Sequence, residues 1–408
     1  MKIAFVDNLS VAGGLSRFSL LLSKSLLERE PSISIDYFIH FNNLRHIPEI
    51  RNVSPRLNVF ILESTKPKGI PLRLTGRVLS KLGIIRQNGD PTIREIENTI
   101  GEKYDLAYFP SAHMMKRPAI GVPVVGTLHD FNWKYFFGRE IFPSSFVEMM
   151  DEEIMVWMEK GLTICSSRDV VDEAQKLYPT VKNYPEVVPI APVIYDSQIS
   201  DTEAAATLKE LGIDFPYIIF PGNFFPHKNH LNLFTAFSLL RKRKGFESYK
   251  LILTGMNSQQ VKRGIAGYRG VQLLTKNGAN KNFDVMGMGY QPNKVIDSLI
   301  SRARLLVSPS IYEAICTPAM DAWHFGTPTA ISDIPPFREH EKTWNIRTAF
   351  FDPMDPENIA DVLEAYLNQY DKAREDGRVS KENMARYTWE NVAAGYLDVF
   401  RRAIKEHK

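Results

Sequence analysis

YIIFPGNFFPHKNHLNLFTAF, residues 217–237, passes from an apolar run through a glycine-containing loop into a segment of helical period. The run 217–220 reads as a buried strand, while Leu233, Phe234, Ala236, Phe237, Leu239 and Leu240 recur at helical spacing. Between them Gly222 suits a tight turn, and Lys228 stands just ahead of the helix, where an ammonium and free helix amides can converge on one anionic point. Asn223 and His227 share the loop with it. A strand, a glycine loop and a helix in succession form the unit from which helix-covered parallel sheets are built, so the fold class is α/β.

The same unit opens the chain. Ile3 to Val6 form a compact apolar strand, Gly13 and Gly14 a turn, and Phe18, Leu21, Leu22, Leu26 and Leu27 one face of a helix. A full G-x-G-x-x-G fingerprint with its acidic ribose residue is not evident, which counts against a redox enzyme. Further strands are expected at 33–38, 59–62, 106–109, 122–128 and 162–165, then at 251–253, 271–274, 305–307 and 329–331. The polar, Ala-rich segment 196–206 follows Pro189 and Pro192 and marks a boundary. It divides the chain into 1–195, 196–385 and a closing helix in 386–408 that carries Trp389, Val392, Ala393, Tyr396, Val399 and Phe400 on one side.

With 408 residues, 44% hydrophobic and 24% charged, the chain exceeds a single core and has a globular composition. Fifty Lys and Arg against 47 Asp and Glu leave +3, too little for wholesale binding of nucleic acid or anionic lipid. Cys165 and Cys316 offer neither a disulfide framework nor zinc-ligand spacing, which suits the cytoplasm. The start, MKIAFVDNLS, reads as a strand and not as a signal peptide, and no window approaches the roughly 20 apolar residues of a membrane span. One local feature departs from this balance: Lys66, Lys68, Arg73, Arg77, Lys81 and Arg86 occur between Thr65 and Asn88 without an acidic residue. This is a candidate basic surface for an anionic leaflet on the inner membrane face or for an acceptor's phosphate, or else a solvated helix face.

The densest chemistry lies in PSIYEAICTPAMDAWHFGTPTAISD, residues 309–333, where Glu313 and Asp321 stand eight positions apart. Pro318 near a helix start leaves the amides of Ile315, Cys316 and Thr317 able to meet anionic or hydroxyl oxygens. In VVGTLHDFN, residues 124–132, His129 and Asp130 follow a strand end, the edge at which open parallel sheets hold ligands. A serine, Ser166 or Ser167, is placed to cap the helix of ICSSRDVVDEA. Gly289 and Tyr290 precede another helix, and Tyr290 can be read as core.

Taken in order, these motifs resemble the retaining family 4 glycosyltransferases, the group 1 glycosyl transferases of GT-B fold. The match rests on Glu313, Pro318, Asp321, Gly326, Thr327 and Pro328 and on the loops around Lys228, His129 and Gly13–Gly14. The resemblance implies two Rossmann-like domains facing each other across a cleft: an acceptor-side domain over 1–195, a nucleotide-sugar donor domain over 196–385, and a closing helix returning to the first. It implies that Glu313 holds donor-sugar hydroxyls, that the amides of Ile315, Cys316 and Thr317 face sugar and diphosphate, and that Asp321 accepts from the ribose. Lys228 would neutralise the leaving diphosphate, His129 would touch the donor sugar, Gly13 and Gly14 would cover the diphosphate, and Gly289 and Tyr290 would line the base pocket. Ala314 and Cys316 replace two loop glycines, Asp321 replaces a Glu, and Asn223 and His227 fill positions where an Arg is common.

Such an enzyme would move a hexose from a nucleotide-diphosphate sugar, with a lean towards GDP-mannose, onto a saccharide or lipid-linked acceptor, with no cofactor and no metal required. HKNH and HDFN most resemble members that build bacterial surface polysaccharides, mannosyltransferases among them. A non-catalytic nucleotide-sugar-binding subunit and a nucleotide-sugar epimerase are the competing readings.

Overall fold

The computed structural model of the chain describes residues 1–9, 14–66, 90–135, 144–194, 199–262 and 285–407. Gly13, the strand expected at 271–274 and the basic residues Lys68, Arg73, Arg77, Lys81 and Arg86 lie outside the described residues. The chain forms two compact units, Met1–Pro189 with Trp389–Lys408, and Ile190–Thr388.

The first unit contains β1 (Lys2–Asp7), β2 (Ser34–Ile39), β3 (Leu57–Ile61), β4 (Leu106–Phe109), β5 (Val124–Thr127), β6 (Leu162–Cys165) and β7 (Glu186–Val187). They pair in parallel in the order β3-β2-β1-β4-β5-β6-β7, with Ile3 opposite Ile35 and Leu106. The inner strands β1, β4 and β5 are buried almost throughout, because helices cover a parallel sheet on both faces. That is why they stand out in the sequence as unbroken apolar runs. Ser167 is the serine that caps the helix Arg168–Leu177, its hydroxyl accepting from the Val170 amide.

The terminal helix Trp389–His407 packs on the helix Gly14–Arg29 and belongs to this first unit. Phe18 meets Trp389 and Tyr396 at ring-centroid distances of 5.7 and 6.2 Å. Tyr396 also joins a buried hydroxyl chain: its OH lies 3.0 Å from Thr127 Oγ1, which lies 2.6 Å from the Tyr108 hydroxyl.

The second unit is a parallel sheet of β8 (Tyr217–Pro221), β9 (Lys250–Thr254), β10 (Val285–Gly287), β11 (Leu305–Ser308), β12 (Thr329–Ser332) and β13 (Ala349–Phe351), in the order β10-β9-β8-β11-β12-β13. Its core joins Ile218 and Phe220 of β8 with Leu233, Phe234 and Phe237 of the helix His230–Leu240, the face anticipated from the helical spacing. The helix Thr317–Phe325 ends on Gly326 at φ 79°, a left-handed position that glycine fills without strain. β7, β10 and β13 were not anticipated; two or three residues are too few to carry a periodic signal.

The division between the units falls at Pro189 and at Thr388, not at 195 and 385 as the punctuation suggested. Ile190, Ala191 and Val193 are buried, and the Val193 amide donates to Asp321 Oδ1 at 3.1 Å, which draws this stretch into the second unit. At the other end the Tyr387 hydroxyl donates to the Thr343 carbonyl at 2.7 Å, so the second unit runs on to the threshold of the terminal helix.

Candidate functional site

In the second sheet the strand order reverses between β8 and β11, and the loops leaving their carboxyl ends diverge there. Such a switch point is where open α/β sheets form a ligand crevice. The loop after β8 carries Lys228 and the loop after β11 carries Glu313, and the structure joins them: Lys228 Nζ donates to Glu313 Oε1. The Ser310 hydroxyl donates to the same Oε1 at 2.7 Å.

The backbone fixes both loops. Pro226, His227 and Lys228 form one turn of 3-10 helix that ends on Asn229, in the left-handed region at φ 56°. Asn tolerates that conformation better than other side chains bearing a Cβ. Asn229 Nδ2 donates to the carbonyls of Pro309 and Pro353 at 2.9 and 2.7 Å, and the Ile311 amide donates to the His227 carbonyl at 2.9 Å. The Lys228 loop is thereby tied to the Glu313 loop by backbone as well as by charge.

Glu313 is followed by Cys316, which precedes the helix Thr317–Phe325; no side-chain oxygen caps the first amides of that helix, and only the weakly accepting Cys316 sulfur lies against the Ala319 amide. Orphan amides and the helix dipole make such an end receptive to an anion. Neither Ala314 nor Cys316 has a positive φ, so a side chain at either position costs no backbone strain. Cys316 is buried, and burial followed by the Glu313 charge pushes its thiol up to about 12, so it is neutral. Asp321 is also buried, with Oδ1 engaged by the Val193 amide.

The remaining expected residues of the second unit occupy the same edge. Gly222 donates its amide to the Thr254 carbonyl at 3.1 Å, and Asn223 Oδ1 accepts from the Met256 amide at 2.7 Å, so a ligand contact from Asn223 falls to its Nδ2. Gly255 sits at φ 99°, and a Cβ there would come within 2.7 Å of the Gly222 carbonyl, so the two loops approach backbone to backbone at this point. His227 is buried beside Phe225, its ring stacked at 5.8 Å. Burial and then the Lys228 charge depress it to about 4, which leaves it neutral at pH 7. Gly289 donates to Ser258 Oγ at 2.8 Å and presents Tyr290, which is 51% exposed and hence not core.

At the edge of the first unit's sheet, Asp7 ends β1 and the Gly14 helix follows. Asp7 is buried, accepts from the Tyr37 hydroxyl at 2.9 Å, and is pushed up to about 6 by desolvation. His129 follows β5, with Nε2 2.7 Å from the Pro110 carbonyl. A carbonyl only accepts, so Nε2 carries the proton and Nδ1 is the acceptor that the ring offers a ligand. Burial depresses His129 to about 4, and Phe18 packs edge-on against its ring at 5.2 Å. Lys66, the one described member of the basic stretch, pairs with Glu63 at 2.6 Å.

Among the described residues no group of three or more His, Cys, Asp or Glu could hold a metal ion, and no helix is long and apolar enough to cross a membrane. Ser310 and Asn229, which anchor the site, were not singled out in the sequence. An Asn closing a short basic loop before a helix is a signal for Asn229; nothing in the local pattern marks Ser310.

Two parallel α/β units with charged loops at the carboxyl edge of the second define the fold class of the GT-B glycosyltransferases. Residues 206–382, most of the second unit, match the family model of glycosyl transferases group 1. Among solved structures, Anabaena Alr3699/HepE in complex with UDP-glucose shares 16% identity at TM-score 0.69, over 98% of this chain and 99% of that one. Sucrose-phosphate synthase from Thermosynechococcus elongatus shares 16% at 0.67, over 98% of each chain. WaaG, a glycosyltransferase involved in lipopolysaccharide biosynthesis, shares 14% at 0.67, over 98% of this chain and 99% of that one. No curated protein matches the chain by sequence.

Proposed function

We propose that the protein is a glycosyltransferase that takes a hexose from a nucleotide-diphosphate sugar. The observation that carries this reading is the meeting of Lys228 and Glu313 at the switch point of the second unit, beside an uncapped helix start, within a group 1 glycosyl transferase match. Lys228 and the amides from Ile315 to Thr317 stabilise the diphosphate as its bond to the anomeric carbon breaks. Glu313 holds sugar hydroxyls, Asp321 the ribose, and Tyr290 the base.

The transfer retains configuration: the bond from the anomeric carbon to the phosphate oxygen breaks, a bond to the acceptor oxygen forms on the same face, and the acceptor's proton passes to a phosphate oxygen. The acceptor is a saccharide or lipid-linked saccharide of a surface polysaccharide, and the reaction takes place in the cytoplasm, at the inner membrane face where that acceptor is lipid-linked. The resemblance leans towards GDP-mannose. The Anabaena structure contains UDP-glucose, which makes uridine nucleotides the first probes alongside GDP.

The test is a thermal-shift titration of the full chain with UDP, GDP and dTDP and their sugars, since a ligand bound only by the native state raises Tm. One nucleotide should shift Tm, and Lys228→Ala should weaken that shift by tenfold or more in concentration. A chain that responds to none of them is not a transferase of this kind. Release of nucleotide from the responding sugar, with and without a saccharide acceptor, then separates transfer from epimerisation.

A further inference from the structure

We infer that Glu313 is the internal counter-ion of the phosphate-binding lysine, and that it makes the site discriminate the intact nucleotide sugar from the nucleoside diphosphate left after transfer. This rests on the reading of the second unit as a nucleotide-sugar site.

Glu313 and Lys228 are only 11% and 18% exposed, and Glu313 Oε1 accepts both from Lys228 Nζ and from Ser310 Oγ. Three ionisable neighbours do not compete with the pair. His227 and His230 are depressed by burial to about 4 and 3, and the Cys316 thiol is raised to about 12, so all three are uncharged at pH 7. Of these five groups, Lys228 and Glu313 are the two that carry charge.

A diphosphate entering on Lys228 must part it from Glu313, and a largely buried carboxylate that loses its partner is costly unless new donors reach it. An intact nucleotide sugar brings those donors, because its hydroxyls can donate to Glu313 while its phosphates take Lys228. A nucleoside diphosphate brings acceptors only to this point. It leaves Glu313 with Ser310 alone and adds a second negative charge beside it. Once the sugar has left, the carboxylate regains the ammonium and works against the remaining diphosphate. Glu313 thus acts on product release as well as on the sugar, and Ser310 positions it by holding the oxygen that faces Lys228.

Calorimetric titration of the full chain with UDP, GDP and their sugars, on wild type, Glu313→Gln, Lys228→Met and the double variant, tests this. Gln keeps the shape and the Ser310 contact but carries no charge to balance the ammonium, so E313Q should bind the responding nucleoside diphosphate about tenfold or more tighter. Its affinity for the nucleotide sugar should rise far less, narrowing the ratio between the two. In the K228M background the gain should vanish, which separates release of the ion pair from simple removal of a negative charge. Ser310→Ala should move the ratio in the same direction, more weakly.

Equal or weaker diphosphate binding by E313Q, with wild type binding normally, overturns the inference and leaves the proposed function standing. So does an undiminished gain in K228M. A wild-type chain and an E313Q chain that both ignore every nucleotide overturn the inference and the proposed function together.

Discussion

Removal of the terminal helix should unfold the first unit while leaving the second intact. Of the residues after Thr388, Val392, Tyr396, Leu397, Val399 and Phe400 are each 3% exposed or less, and all five pack within Met1–Pro189 with Trp389–Lys408. Burying a large apolar side chain is worth about 1.5 to 3 kcal/mol, so the five together contribute roughly 8 to 15 kcal/mol, as an upper estimate. A domain's whole stability is about 5 to 15 kcal/mol, so a chain ending at Thr388 cannot keep that unit cooperatively folded. Loss of the Tyr396 hydroxyl from the Thr127 and Tyr108 chain adds to the deficit.

The assay is urea unfolding of the full chain and of the chain ending at Thr388, followed by near-ultraviolet circular dichroism, with dye binding to report exposed apolar surface. The truncated chain should lose one transition, bind the dye, and keep the other transition and its nucleotide affinity. Phe400→Ala, at about 3 to 5 kcal/mol, should lower the same transition without abolishing it. Two unaltered transitions after truncation would refute the reasoning, because they would show that the buried face of the helix contributes little to the unit it packs on.

Three further outcomes follow from particular side chains. Asp7 has a folded-state pKa raised from 3.8 to about 6, so it favours folding only while protonated: that contribution is whole below about pH 4 and fades as pH rises through about 6. At roughly 1.4 kcal/mol per pH unit it amounts to about 2 to 3 kcal/mol, and Asp7→Asn should flatten this part of the pH–stability curve; an unchanged slope in chemical denaturation at pH 4.5, 5.5 and 6.5 would count against it. Tyr290 is 51% exposed, so Tyr290→Ala should leave Tm within about 1 °C yet weaken nucleotide binding several-fold by titration, whereas a large fall in Tm would make it a structural residue. Lys228→Met should weaken nucleoside diphosphate binding by tenfold or more and lower Tm, since Glu313 loses its partner; the binding loss should shrink as salt is raised, because the contact is largely Coulombic.

The fold class was determined by local pattern alone. Strands buried on both faces must be apolar throughout, and 106–109 and 162–165 were placed to the residue for that reason, while the helix His230–Leu240 followed from period and from the loop ahead of it. Lys228, Glu313 and Cys316 were candidates because each lies in a short motif with its own loop and helix start. Their arrangement was not legible. Lys228 and Glu313 are 85 residues apart, and only the order β10-β9-β8-β11-β12-β13 brings the loops after β8 and β11 together. Ser310 became part of the site through a hydrogen bond that no spacing announces. Exposure of Tyr290, burial of Asp321 against the Val193 amide, and the proton on His129 Nε2 were likewise settled by partners distant in sequence. Periodicity reports which face of an element is buried; which groups then face one another depends on strand order and packing, and these are properties of the whole chain.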